Sequence, residues 1–543
     1  MAASRIVVVG AGIGGLSAAM LLAASGCDVT VVERSAVPGG KMREIEIGGT
    51  GIDAGPTVFT MRWVFDELFA AAGGSFADAV RLIPVETLAR HAWSEREQLD
   101  LHADIERSTD AIGDFAGPAA ARGFRAFAAA ARMTYLALER TFLTAQRPSA
   151  PALVGRMGLS GLRQFGHTNP MASMWSELGR YFADPRLRQL FGRYATYVGS
   201  SPFAAPSTLM LIAHVEQDGV WLVEGGMHRL ARAMAAAAAA QGAALRYGRG
   251  VAEIAADARG RTTGVILEGG DMIPAEAVVF NGDAGALAEG LLGSAPTRAA
   301  PRLGLPDRSL SAVTFAMRAA VSGFPLVRHT VFFSGGYRDE FDAIFARREL
   351  PADPTVYVCA QDRDDRGSGP VNPDSRERVF CLVNAPAGGV GTAGAAQQLD
   401  NLWNNPLEID RCRIRMDRRL AACGLTLTTE PSMTAVTTPS DFARLFPGSG
   451  GALYGMASHG WMASFRRPAA RTRMPGLYLA GGSAHPIPEH HGPYSDFASL
   501  TGNVRQRSPS GPYPSGSVRK QMASMRFRLV LAAFLGLSTA AAA

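Results

Sequence analysis

The chain of 543 residues holds only two lysines, Lys41 and Lys520, and only five cysteines, Cys27, Cys359, Cys381, Cys412 and Cys423. The cysteines are scattered, odd in number and never in a CxxC spacing. That excludes a disulfide scaffold and a cysteine-based zinc site, and it fits a reducing, cytosolic compartment. Charged residues are scarce at 19% against 47% hydrophobic, a balance that excludes intrinsic disorder for the bulk of the chain. No apolar run reaches the roughly 18 to 20 residues needed to cross a bilayer; the nearest is Leu529 to Ala543. The apolar stretch after Arg5 is broken by five glycines between Gly10 and Gly26, too many for the core of an export signal. A basic stripe interleaved with aromatics is also missing, so nucleic acid is excluded as a partner despite a formal charge of +6. Residues 487–543 hold six basic groups against two acidic ones, so +4 of that excess belongs to the last tenth of the chain.

The first fifty residues carry the most specific pattern. Ile6-Val7-Val8-Val9 is a short β-branched run of the kind that forms a central parallel strand, and it leads into Gly10-Ala11-Gly12-Ile13-Gly14-Gly15. A helix is expected from about Leu16 to Ala24, ended by Gly26, then a strand over Val29–Val32 with Glu33 at its end. This is the order of a dinucleotide-binding βαβ unit. Its glycines bring a pyrophosphate to unsatisfied N–H groups at a helix N-terminus, and its acid accepts from ribose hydroxyls while repelling a 2′-phosphate. Gly39-Gly40-Lys41 and the Asp53-Ala54-Gly55-Pro56-Thr57 turn follow closely. NAD has no need of these extra segments, whereas FAD, longer and permanently held, suits them.

Further along, 61–219 reads as amphipathic helices, among them Trp63–Ala72, Gly123–Arg140 and Pro185–Tyr194. Glu224-Gly225-Gly226-Met227, an alanine-rich helix over His228–Gln241, and short strands at Val251–Ile254 and Ala277–Phe280 bring the chain back to the nucleotide domain. Alternating strands such as Ala312–Phe315 and Thr355–Val358 predict an antiparallel sheet, and Gly476–Ser483 predicts a last buried strand with a glycine turn. The expected division is therefore a discontinuous FAD-binding domain (1–60, 220–300 and 450–486), a helical apolar region facing substrate and membrane (61–219), a substrate domain with an antiparallel sheet (301–449), and an atypical tail (487–543).

Taken together, Val8 to Leu16, Glu33 to Lys41, Asp53 to Thr57, Glu224 to Met227 and Gly476 to Pro486 resemble the successive signatures of bacterial phytoene-desaturase-type carotenoid desaturases. Met61–Phe65, Phe191–Pro202, Arg308–Arg318, Pro354–Arg363 and Leu453–Pro468 are similar to the branch acting on acyclic 1-hydroxy and 1-methoxy carotenoids such as hydroxyneurosporene and methoxyneurosporene. The resemblance implies an α/β fold, an FAD-binding Rossmann-like domain of the glutathione-reductase type with an inserted helical and antiparallel-sheet substrate domain. It also implies an FAD-dependent desaturase that introduces a C-3,4 double bond. By resemblance, Gly10, Ala11, Gly12, Gly14 and Gly15 hold the pyrophosphate, Glu33 the ribose, and Arg34, Gly40 and Lys41 neighbouring cofactor atoms. Gly55, Pro56 and Thr57 lie nearer the isoalloxazine, Val251 meets the adenine, and Gly481, Gly482 and Ser483 line the flavin from the far side.

The proton acceptor is left open. Asp283, His459 and Glu224 are titratable groups near re-entrant segments, and each also has a plain reading as a turn aspartate, a surface histidine and a strand-end glutamate. Arg193, Tyr194 and Tyr197 are candidates for a substrate end group, against an arginine simply packed on aromatics. No metal is expected: His485, His490 and His491 have no partner at ligand spacing. The implied partners are an apolar carotenoid, the surface of the inner photosynthetic membrane with the protein bound peripherally from the cytoplasm, and other carotenoid enzymes. Phytoene or neurosporene desaturation, carotenoid isomerisation, or FAD binding without catalysis remain alternatives with the same motifs.

After Pro486 the family pattern stops. Ile487-Pro488-Glu489-His490-His491 replaces the expected glycine turn and helix, Ser495–Ser524 turns Ser/Pro/Gly-rich, as in disordered segments, and Met525-Arg526-Phe527-Arg528 with its apolar run resembles a bacterial export signal. This is the pattern expected of a frameshift near codon 487 that reads into a neighbouring gene for an exported product; the alternative is a genuine C-terminal membrane anchor, for which about 15 apolar residues is short. Reading the gene in its two other frames from that codon should restore a glycine turn and helix; if neither frame does, the frameshift is wrong.

Overall fold

In the computed structural model the described residues are 3–139, 169, 171–369, 376–388 and 402–484. The tail, the three histidines at 485, 490 and 491, and the segment after Glu139 lie outside them.

The β-branched run at the N-terminus forms β1 (Arg5–Val9), with Ile6, Val7 and Val8 fully buried. It pairs in parallel with β2 (Asp28–Val32) on one side and Ala277–Phe280 on the other; Ala244–Arg246 and Leu477–Leu479 extend the sheet to five strands. Strands buried on both faces read as unbroken apolar runs, as Ile6–Val8 and Ala277–Phe280 do; the edge strand Ala244–Arg246 is more exposed. The helix α1 (Ile13–Ala24) covers one face. It packs on His228–Ala240, whose Ala231, Ala235 and Ala238 are buried at helical spacing and let the two axes approach. Val251–Ala256 stays out of the parallel sheet and pairs antiparallel with Thr262–Leu267, in a separate three-stranded sheet. Its glutamate and exposed alanine cannot be buried on both faces of a central strand.

The second large sheet orders its strands as Leu425–Thr428, Ser311–Gly323, Glu377–Ala385, Val356–Ala360, His329–Phe332, Thr87–Ala92 and Gln98–His102, with Thr434–Thr437 also on the long strand. Here the reading of 61–219 as helical is corrected. Thr87–Ala92 and Gln98–His102 form a hairpin whose inner strand pairs in parallel with His329–Phe332, and Phe59–Thr60 and Leu82–Pro84 both pair with Val220–Val223. The expected helices form as Arg62–Ala71, Pro118–Leu138 and Pro185–Gly192, the last running into a tighter 3₁₀ turn over Arg193–Val198.

The two faces of this sheet go to different cores. Val313, Phe315, Phe332, Val358, Cys381 and Val383 pack on the helix Pro406–Ala422. Val331, Tyr357, Phe380 and Leu382 join the same continuous core as β1 and α1. The antiparallel sheet thus presents one face toward the nucleotide-binding half.

Candidate functional site

The strand order reverses direction between β1 and Ala277–Phe280, which opens a crevice at the carboxyl ends of the strands, where open α/β sheets bind ligands. Three loops meet there: 10–15, 281–283 and 481–483.

Their meeting point is the Asn281 side chain, at a position that carries no motif of its own in the sequence. Its backbone N–H donates to Val9 O at 2.8 Å and its Nδ2 to Ala480 O at 2.9 Å. A Cβ on Gly12 would stand 2.7 Å from Asn281 Oδ1, and one on Gly14 would stand 2.7 Å from Asn281 Nδ2 and 2.9 Å from Gly481. These glycines therefore make room for an amide beneath the loop as well as for a phosphate above it.

The N-terminus of α1 has no side-chain cap and no acid in its first turn, although Ile13, Gly14 and Gly15 are buried. Unsatisfied N–H groups with a positive dipole end fit an anionic pyrophosphate. Glu33 is buried at the end of β2 and accepts from the N–H groups of Ala11 at 2.7 Å and Ser35 at 2.8 Å. The Arg249 N–H donates to Glu33 O at 2.9 Å, which brings Val251 alongside the acid. The residues present fit a dinucleotide without a 2′-phosphate.

Gly40 lies against Gly12, where its Cβ would be 3.1 Å from Gly12 Cα. The Lys41 ammonium donates to Leu453 O and sits 5.4 Å from the centre of the Phe446 ring; burial lowers its pKa and the Asp283 charge opposes that. Arg34 turns away from the loops and donates to the carbonyls of Arg444 and Leu445 at the end of the helix Pro439–Leu445. Gly482 O accepts from buried Arg467 at 2.8 Å, and Ser483 Oγ accepts from the Ala284 N–H at 3.1 Å.

The 53–57 turn is pinned from both sides. The Asp53 carboxylate accepts from the N–H groups of Met227 at 2.7 Å and His228 at 3.2 Å, and burial raises its pKa. Gln361, a residue with no motif of its own, brackets the Asp53 peptide by accepting from its N–H at 3.0 Å and donating to its carbonyl at 2.8 Å. A Cβ on Gly55 would lie 2.0 Å from Lys41 O, so only glycine lets this turn touch the 40–41 loop. Pro56 is buried beside it. Thr57 Oγ1 meets Tyr357 Oη at 2.6 Å, and Tyr357 Oη meets His329 Nδ1 at 2.7 Å.

Of the three titratable candidates, Asp283 is at the crevice. It caps Ala284–Ala288 by accepting from the Gly285 N–H at 2.8 Å, and burial raises its pKa against the pull of Lys41, Arg308 and Arg467. His459 accepts from the Ser201 N–H at 3.0 Å, and burial with Arg348 nearby pushes its pKa down to about 4. It is neutral at pH 7, with that ring nitrogen already used. Glu224 pairs with Arg81 at 3.5 Å on the exposed surface, the setting of a solvated carboxylate.

Arg193, Tyr194 and Tyr197 come together in a buried cluster with Glu216, which accepts from Tyr194 at 2.6 Å and from Tyr197 at 2.5 Å. The Arg193 guanidinium lies 5.6 Å and 5.0 Å from the two ring centres. Tyr194 also lines a cavity of about 490 Å³ walled by Leu88, Leu101, Phe124, Phe127 and Phe191.

Comparison with known proteins bears on this geometry directly. The sequence pattern of the family described as flavin containing amine oxidoreductase matches residues 13–486. The chain belongs to that family. Its cofactor is FAD. The hydroxyneurosporene desaturase of Rubrivivax gelatinosus is 51% identical over 92% of both chains, and that of Cereibacter sphaeroides 44% identical over 89% of this chain and 93% of its own. The zeta-carotene-forming phytoene desaturase of Myxococcus xanthus is 30% identical over 89% of this chain and 90% of its own. An oxidoreductase from Methanosarcina mazei, at TM-score 0.53 and 16% identity, covers 88% of this chain and 95% of its own and shares the fold. The family match ends at Pro486, the residue after which the sequence loses the family pattern.

Gly14→Ala should weaken FAD binding by about ten- to a hundredfold, the equivalent of one overpacking clash, while the protein still folds. Flavin absorbance of the purified variant and its far-ultraviolet dichroism check this; wild-type flavin content would contradict the crowded-loop geometry.

Proposed function

We propose that the protein is an FAD-dependent desaturase that introduces the C-3,4 double bond into acyclic 1-hydroxy and 1-methoxy carotenoids, meeting its substrate at a membrane surface. The observation that carries the reading is identity of 51% over 92% of the chain with a hydroxyneurosporene desaturase.

Desaturation takes a hydride from one carbon and a proton from its neighbour. Bound FAD supplies the hydride acceptor, and the protein supplies binding, orientation and exclusion of water. Glu33, the bare N-terminus of α1 and the loops at 39–41 and 481–483 hold the dinucleotide. The turn at 53–57, locked by Gln361 and the Met227 and His228 N–H groups, sets the floor between cofactor and sheet. Asp283 is the carboxylate at the crevice, and burial raises its pKa, the direction that makes it a better proton acceptor.

The 490 Å³ cavity gives an apolar chain a place along the helix Pro118–Leu138. The outer side of that helix exposes Met133 and Leu136, and Met171 is 74% exposed, which supports an approach to lipid along the same element. Among the described residues no helix is long and apolar enough to cross a membrane, so the association proposed is peripheral.

Expression in a host that accumulates 1-hydroxyneurosporene should give a carotenoid with red-shifted absorption, and the purified protein should carry flavin. Retained flavin with no new double bond, or a new double bond in phytoene instead, would overturn the assignment.

A further inference from the structure

The sheet face that packs on Pro406–Ala422 is largely apolar, with Thr330 and Glu377 as buried polar exceptions, whereas the opposite face carries His91, His329 and Tyr357, all buried. Burying such groups is costly unless each polar atom finds a partner. Among the described residues His91 Nε2, His329 Nε2 and Tyr337 Oη are buried with no hydrogen-bond partner. His91 stands opposite Val331 on the face that His329 also occupies, and the Phe333 ring lies 5.9 Å from His91 and 6.4 Å from Tyr337, so the three groups share one buried region. The charge of Arg193 reaches all three and Tyr357. Unpartnered polar atoms gathered there can take a polar atom from a ligand.

That locus is also one short relay from the dinucleotide crevice. Gly40 touches Gly12, Gly55 touches the Lys41 carbonyl, and Thr57 reaches His329 through the Tyr357 hydroxyl at 2.6 and 2.7 Å. In a 1-hydroxy or 1-methoxy carotenoid the oxygen is three bonds from C-3. Whatever holds it must stand close to the atom that accepts the hydride.

We propose that His329 Nε2–H donates a hydrogen bond to the C-1 oxygen of the substrate and so sets the preference for oxygenated end groups. The inference rests on the desaturase reading above. Burial holds His329 neutral, with its pKa near 3. A neutral imidazole has one N–H and one lone pair, so if Nδ1 accepts from Tyr357 Oη–H, the proton must sit on Nε2. Donation from Nε2 serves both substrates, because an ether oxygen accepts as well as a hydroxyl does but cannot donate. Tyr194 and Tyr197 cannot play this part for an ether, since both hydroxyl protons already go to Glu216. His329 is then a specificity-determining residue, with Tyr357 and Thr57 fixing its tautomer.

The test separates binding preference from turnover. Affinities of the FAD-loaded protein for 1-hydroxyneurosporene, 1-methoxyneurosporene and neurosporene, which lacks the oxygen, are measured by quenching of tryptophan fluorescence. Wild type should prefer both oxygenated compounds. His329→Leu should lose that preference by about tenfold, the scale of one buried neutral hydrogen bond, with neurosporene affinity and flavin content unchanged. His329→Gln, which keeps a donor at the Nε2 position, should retain most of it, and Tyr357→Phe should lose part. Equal weakening toward all three carotenoids, or an unchanged ratio in His329→Leu, overturns the proposal, and Tyr357→Phe supplies the same readout should His329→Leu fail to fold. Wild-type preference for oxygenated ligands without any new double bond would overturn the desaturase reading and leave His329 standing.

Discussion

The structure turns on the crowding around one amide. Asn281 leaves the end of a central parallel strand and fills the volume that side chains at 12, 14 and 481 would otherwise take. Three segments almost 500 residues apart from first to last are thereby forced to within van der Waals contact. Dinucleotide binding in this fold needs backbone N–H groups brought close to phosphate, and close packing beneath the loop is what holds them there. The glycines at 12, 14 and 481 are thus constrained by the protein itself, whatever a bound dinucleotide adds.

A second constraint follows from the first. With the crevice fixed at the carboxyl edge of the parallel sheet, the 53–57 turn is the bridge to the antiparallel sheet, and its clamps come from elsewhere: Gln361 from the sheet, Met227 and His228 from the start of a helix. The sheet in turn keeps one largely apolar face against Pro406–Ala422 and places its buried histidines and Tyr357 on the other. The proposed site therefore sets a polar locus, His329 with Tyr357, in an interior rich in apolar side chains. That combination matches a substrate that is apolar except at one end, where the chemistry occurs.

Much of this was legible in the order of residues and part of it was not, for reasons of range. The unit from Arg5 to Glu33 is local: strand, glycine loop, helix and strand each leave a short-period pattern, and all form where the pattern places them. The hairpin Thr87–His102 was read as helix because its partner strand, His329–Phe332, lies more than two hundred residues away and leaves no trace in the local pattern. Thr57, Tyr357 and His329 meet across a separation of 300 residues, Asn281 looks like any turn residue, and Arg34 gave no sign that it would turn to the carbonyls at 444 and 445. The alternation in His329-Thr330-Val331-Phe332 and Tyr357-Val358-Cys359 did hold a signal, two polar residues facing one way on buried strands, but only the pairing of those strands gives it meaning. The positive charge resolves differently: residues 1–486 are left with only +2, so the excess concerns the residues after Pro486 and not a partner.

The central claim is that the oxygenated end of the carotenoid lies on the polar sheet face next to the flavin. A crystal structure of the FAD-bound protein with 1-methoxyneurosporene tests it most directly. The account requires the pyrophosphate against the N–H groups at the start of α1 and the C-1 oxygen within hydrogen-bond distance of His329 Nε2. An end group seated instead among Phe124, Phe127 and Phe191, with the oxygen away from His329, would contradict it.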